Sequence, residues 1–220
     1  MKAIGVFGGA FAPFHNGHLR LAIEARERLQ LWQVRLIPTA HPAHRSEPQI
    51  SPTRRLEWIR LATRSERSLI PDDREILRDG PSYTVDTLAE LRELFPSAAL
   101  VLLMGGDAFQ HLHSWYRWRE LLALAHVAVV SRPGALLEPA AETRDELAPR
   151  RTADSAALHA SPAGLWYQLE VPMLDISSTR VRQLLRTGHS VRGLVPDAIL
   201  DTMTAADIAA LTQDDDATTH

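Results

Sequence analysis

Two histidines, His15 and His18, follow the glycine pair Gly8-Gly9 within the stretch Gly8-Gly9-Ala10-Phe11-Ala12-Pro13-Phe14-His15-Asn16-Gly17-His18. The residues after them have helical spacing, so the pair belongs at a helix N-terminus. That end is an anion site by construction, through its unpaired N–H groups and the positive end of the macrodipole. Two imidazole donors added there would hold a phosphate whose charge is changing, and Gly17 between them permits close approach of a substrate to the backbone. Ten histidines produce some close pairs by chance, His41 and His44 being another. The pair gains its weight from the glycine loop and the apolar run before it. As a metal motif it is poor: His15-x-x-His18 lacks the glutamate of a metalloprotease helix and has no clear third ligand nearby, so no metal site is expected.

A second concentration of chemistry is Asp175-Ile176-Ser177-Ser178-Thr179-Arg180-Val181-Arg182. Hydroxyls at a helix start can cap it, bind phosphate, or do both; taken alone, Ser177 is a cap. Arg182, about one turn on, adds a planar cation suited to a polyphosphate. Gly105-Gly106-Asp107 ends an apolar run where a carboxylate could accept from a ribose hydroxyl, although a turn aspartate is the commoner case. Ser114-Trp115-Tyr116-Arg117-Trp118 could stack a heterocycle or simply pack in a core. Pro42-Ala43-His44-Arg45 offers two phosphate donors in what would ordinarily be a solvated turn.

Composition removes several classes of function. The 220 residues contain no cysteine, which excludes disulfides, thiolate nucleophiles, zinc-thiolate sites and iron-sulfur clusters. Of 24 basic residues only Lys2 is lysine, so a lysine-bearing phosphate loop cannot be built, and neither that motif nor G-x-G-x-x-G occurs. Arginine must do the cationic work. A net charge of -3 argues against nonspecific nucleic-acid binding but allows a small anionic substrate, because local donors can outweigh the global sign. No apolar run approaches the roughly 18 residues of a membrane span, and the first strand-like run is too short for a secretory signal, which makes the cytoplasm the default address.

The elements that must position these residues alternate. Lys2 to Phe7 reads as a buried strand, Gly17 to Leu31 as an amphipathic helix, Val34 to Ile37 as a strand, and Leu56 to Ala62 as part of a second helix. Ser82 is a plausible N-cap for a helix over about 84–94, followed by strands at 98–104 and 127–130 with a helix at 118–124 between them. Residues 134–162 read as surface elaboration with one helical stretch near 138–147. A last strand at 165–171 precedes a helix that Ser177 caps and Gly188 terminates, then short helices at 196–203 and 205–211. The alternation predicts an α/β fold, a Rossmann-like doubly wound parallel sheet with a small C-terminal helical part over about 177–211. Residues 1–211 are expected to form one domain and 212–220 a disordered tail.

Residues Gly8 to Leu19 resemble the G-G-[TS]-F-D-P-x-H-x-G-H-L signature of the nucleotidyltransferase superfamily that includes class I aminoacyl-tRNA synthetases. Ile176 to Arg182, about 160 residues further on, resemble its second signature, I-S-x-T-x-I-R. Within that superfamily the chain is similar to bacterial nicotinate-nucleotide adenylyltransferases. It carries Pro42-Ala43-His44-Arg45 like their P-P-H-[KR], Pro81-Ser82-Tyr83-Thr84 like P-S-Y-T, and Met104-Gly105-Gly106-Asp107 like I-G-x-D. Ser114-Trp115-Tyr116 and Arg132-Pro133-Gly134 also fit.

The resemblance implies transfer of the adenylyl group of ATP to nicotinate mononucleotide in NAD biosynthesis, with Mg2+ accompanying ATP, no nucleic-acid or membrane partner, and a homo-oligomer left open. It further implies that His15, His18 and Arg182 are catalytic. Gly8, Gly9, Ala10, Phe11, Gly105, Asp107, Arg132, Ser177, Ser178 and Thr179 would bind ATP, and His44, Arg45, Ser82, Tyr83, Thr84, Trp115 and Tyr116 the mononucleotide. Ala10, Ala12 and Ala43 depart from the pattern. Two rivals stand beside this reading: an adenylyltransferase for another phosphate acceptor, such as phosphopantetheine or nicotinamide mononucleotide, and a nucleotide-binding regulator without turnover.

Overall fold

Runs of small and branched apolar residues without polar alternation become strands buried on both faces, the pattern of a parallel sheet. Residues 99–104 and 126–131 are buried without interruption in a computed structural model that describes residues 1–43 and 48–213. In chain order the elements are β1 (Ala3–Gly9), α1 (Asn16–Arg28), β2 (Gln33–Pro38), α2 (Pro52–Thr63), β3 (Leu69–Pro71), α3 (Arg74–Leu77), α4 (Thr84–Leu94), β4 (Ala99–Gly105) and α5 (Gly106–Gln110). They continue with α6 (Trp118–Leu124), β5 (His126–Ser131), α7 (Arg144–Leu147), β6 (Arg151–Thr152), β7 (Trp166–Glu170), α8 (Ser178–Arg186), α9 (Asp197–Leu200) and α10 (Ala205–Gln213).

The strands form one seven-stranded sheet in the order β3-β2-β1-β4-β5-β7-β6. Pairing is parallel, with Ala3 opposite Ala99 and Val127 opposite Trp166. The order turns back at the β1–β4 pair, so the expected doubly wound parallel sheet is the one observed.

Packing divides the chain into two units: residues 1–7, 22–35 and 83–173 form one, and 8–21, 36–82 and 174–220 the other. In the first, Ile4, Leu88, Leu91, Phe109, Trp166 and the β4 and β5 side chains make the core. The Phe109 and Trp166 rings meet at 4.9 Å, and Trp166 Nε1 donates to Leu147 O at 2.7 Å. A Cβ at Gly5 would lie 2.9 Å from Leu31 and 3.0 Å from Val34, so a larger residue would force these neighbours apart. Arg92 donates to the carbonyls of Ala98 (2.6 Å), Leu124 (2.7 Å) and Pro162 (2.9 Å), just ahead of β4, β5 and β7 respectively. In the second unit the core is Phe14, Ile37, Trp58, Ile59, Val181, Ile199 and Leu211. There Arg54 grips Asp207 through Nε (3.2 Å) and Nη2 (2.8 Å), tying α2 to α10.

Several local expectations are corrected. Ser82 does not cap α4. The cap residue is Tyr83, with no side-chain cap bond, while Ser82 Oγ accepts the N–H groups of Ala40 and His41, both at 3.2 Å. The helix expected near 138–147 shrinks to the single turn of α7. Residues 134–162 are more than surface, because Leu147 and Leu158 enter the core and β6 is an edge strand too short to show in a sequence pattern. Helix α10 runs through Thr212 and Gln213, assigned to the tail from sequence, with Thr212 Oγ1 donating to Ile208 O at 2.9 Å. The rest of the proposed tail, 214–220, lies outside the described residues, as do His44 and Arg45.

Candidate active site

The glycine loop between β1 and α1 is shaped by Phe11. Its φ of 50° lies in the left-handed region, an uncommon backbone for a ring-bearing residue, and is offset by burying the side chain to 2 % exposure. A Cβ on Gly9 would come within 3.0 Å of that ring, so a larger residue there would press on Phe11. Phe11 meets the His18 ring edge-on at 5.0 Å, and Phe14 lies tilted against it at 5.4 Å.

His15 and His18 stack, ring centroids 3.6 Å apart and planes 17° apart. His15 N–H donates to His18 Nδ1 and His18 N–H to His15 Nδ1, both at 3.3 Å. With both Nδ1 atoms accepting, the proton of each neutral ring sits on Nε2. Burial pushes the His15 pKa down to about 4. His18 is held well below the ordinary histidine value, first by burial and then by the charge of His15. Gly17 leaves room for the stack: a Cβ there would lie 3.0 Å from the His15 ring and 3.3 Å from Ile176 O.

Helix α8 completes this cluster within the same unit. Ser177 is its N-cap, its Oγ accepting Arg180 N–H at 3.1 Å. Ser178 Oγ donates to Pro13 O at 3.1 Å, and Arg182 donates through Nη1 to Ala12 O at 3.0 Å and through Nη2 to Thr179 Oγ1 at 3.3 Å. Ser177 and Thr179 are exposed beside them. The structure thus brings His15, His18, Gly8, Gly9, Ala10, Phe11, Ser177, Ser178, Thr179 and Arg182 into one unit, with hydroxyls, a guanidinium and two imidazoles as donors.

The remaining candidates in the described chain belong to the other unit, except Ser82. Tyr83 and Tyr116 stack at 4.2 Å, and Thr84 is the first residue of α4. Trp115 closes a short 3-10 turn at 112–114. Gly105 ends β4, Asp107 lies in the first turn of α5, and Arg132 follows β5 on the surface.

Sequence reasoning missed two contributors. Asn16 donates from its main chain to Leu194 O and from Nδ2 to Gly193 O, both at 2.8 Å, which anchors the start of α1. Arg55 is fully buried and donates to Ala10 O in the glycine loop. A signal for Arg55 was present: it shares the apolar face of α2 with Ile59 and Ala62, where a solvated arginine does not belong.

Residues 6–184 match the model of the cytidylyltransferase-like family. A probable nicotinate-nucleotide adenylyltransferase of Pseudomonas fluorescens is 46% identical over 200 residues, covering 90% of this chain and 93% of the relative. One of Dechloromonas aromatica is 47% identical over 204 residues, covering 91% and 94%. The chain belongs to the nicotinate-nucleotide adenylyltransferase family. Among solved structures, a Plasmodium falciparum nicotinic acid mononucleotide adenylyltransferase complexed with NaAD superposes with a TM-score of 0.64, covering 97% of this chain and 96% of that one. At 16% identity it speaks to the fold alone.

Proposed function

We propose that this chain joins ATP and nicotinate mononucleotide. A 5′-phosphate oxygen of the mononucleotide attacks the α-phosphorus of ATP, the bond from that phosphorus to the bridging oxygen of the β-phosphate breaks, and nicotinate adenine dinucleotide and pyrophosphate result. The observation that carries this reading is the stacked, reciprocally bonded pair of His15 and His18 at a helix start, in the same unit as Ser177, Thr179 and Arg182. Such a donor set needs no covalent intermediate; it positions anions and stabilises charge as it moves to the leaving pyrophosphate.

In this reading His15 and His18 meet the α-phosphate and leaving group, and Ser177, Ser178, Thr179 and Arg182 the β- and γ-phosphates. Gly8, Gly9, Ala10 and Phe11 shape the loop against the nucleotide, while Gly105, Asp107 and Arg132 contact adenosine. His44 and Arg45 take the mononucleotide phosphate, and Tyr83, Thr84, Trp115 and Tyr116 the pyridine ring. Ser82 acts one step back, by holding the loop at Ala40 and His41. Mg2+ accompanies the triphosphate and its water in this reading. No helix among the described residues is long and apolar enough to cross a membrane; a role in NAD biosynthesis puts the chain in the cytoplasm.

The test is pyrophosphate release from ATP and Mg2+ with nicotinate mononucleotide, nicotinamide mononucleotide or phosphopantetheine, with the dinucleotide identified by mass. Release with nicotinate mononucleotide, faster than with either other acceptor, is expected. Release with none would make the chain a nucleotide-binding regulator, and a preference for another acceptor would reassign the substrate.

A further inference from the structure

Arg55 has no exposed surface, and a guanidinium without water must place its N–H groups on protein acceptors. It does so across three chain segments. Nη1 donates to Ala10 O at 2.6 Å, Nη2 to Thr39 O at 2.8 Å and Nε to Ile50 O at 3.2 Å. Thr39 N–H in turn donates to Gly9 O at 2.9 Å, which closes a ring of bonds between the glycine loop and the chain just after β2.

Together with α8, these contacts capture the loop by its main chain. The carbonyls of Gly9, Ala10, Ala12 and Pro13 are taken by Thr39, Arg55, Arg182 and Ser178. A phosphate is repelled by carbonyl oxygens and attracted by N–H groups, so a loop whose carbonyls are engaged by other donors is better suited to an anion. None of these bonds uses the side chain at position 10 or 12. The loop can therefore keep its shape with Ala10 and Ala12 where the related signature has a hydroxyl and a carboxylate.

We propose that Arg55 is a positioning residue for adenylyl transfer: its planar fork sets the glycine loop, and with it the stacked histidines, against the carbonyls of Thr39 and Ile50. It does not touch the substrate. A lysine at 55 keeps the charge and three donors but puts them all on one nitrogen, so it lacks the fork that spreads them over Ile50, Ala10 and Thr39. Misplacing reacting groups by about 1 Å costs about 100-fold in rate, which bounds the effect.

The inference rests on the proposed transfer reaction, so wild-type turnover with nicotinate mononucleotide is measured first; its failure would overturn that reading and this one with it. Given an active wild type, Arg55→Lys and Arg55→Gln are compared at equal concentrations of molecules that bind a non-hydrolysable ATP analogue. The expected result is a kcat lower by about 10- to 100-fold, with KM for ATP changed by less than about threefold. Added guanidinium at non-denaturing concentration is expected to restore at least about fivefold in Arg55→Ala but nothing in wild type. A kcat per binding-competent molecule within about threefold of wild type in both variants would overturn the assignment. So would failure of both variants to fold, which would make Arg55 a residue of the scaffold.

Discussion

The Nδ1 atoms of His15 and His18 each accept the main-chain N–H of the other residue, and the rings stack at 3.6 Å between these two bonds. One arrangement therefore fixes rotamer, tautomer and spacing together. It also leaves both rings neutral at pH 7, since burial holds His15 near pKa 4 and His18 well below its usual value.

Removing one preorganised donor costs about 100- to 1,000-fold in rate, and His18→Ala is expected to lose that much in kcat. Pyrophosphate release under saturating ATP measures it. Activity within about threefold of wild type would remove His18 from the chemistry.

Acid is expected to weaken the fold through the same pair. The His15 pKa is about 4 in the folded chain, below the unfolded value of 6.5, so between these pH values the unfolded chain binds more protons. The stability contributed by keeping this ring neutral is complete above pH 6.5 and is lost as pH falls toward 4. Urea midpoints at pH 7 and pH 5 should differ less in His15→Asn than in wild type, and an identical difference would refute the linkage.

Binding should reverse the preference. An anion beside an imidazole raises its pKa, so a triphosphate arriving at pH 6 is expected to draw protons onto the rings. Calorimetry in buffers of different ionisation enthalpy reads that uptake. It should shrink in His15→Asn; an unchanged value would place the titrating groups elsewhere.

Asp207 supplies a contrast, because its role is confined to holding α10. Burial works against its charge, but hydrogen bonds from Arg54 and Thr204 together hold its pKa below the ordinary carboxylate range. Asp207→Asn is expected to lose about 2 kcal/mol of stability, with kcat within about twofold of wild type. Chemical denaturation alongside the pyrophosphate assay separates the two, and a large fall in kcat without a loss of stability would contradict this role.

The strands β1, β2, β4, β5 and β7 and most helices were legible because apolar runs and helical spacing leave few alternatives. That His15, His18 and the Ser177 to Arg182 segment cluster was legible because both sit at helix starts, where local sequence carries the signal. Arg55 and Ser82 were not, because their partners are main-chain carbonyls and N–H groups of distant segments, and any residue can supply those. Ser82 was read as a cap since serine before a helix usually is one; a long-range bond to Ala40 and His41 won instead. The strands β3 and β6 are three and two residues long and carry no periodicity.

Arg92 binds the chain where it enters β4, β5 and β7, so these three entrances share a single knot. Fraying at one of them breaks bonds that restrain the other two, and opening there is a collective event. In hydrogen-exchange terms, the first amides of β4, β5 and β7 should become labelled together as one cooperative unit. Arg92→Lys should divide that unit into three that exchange independently.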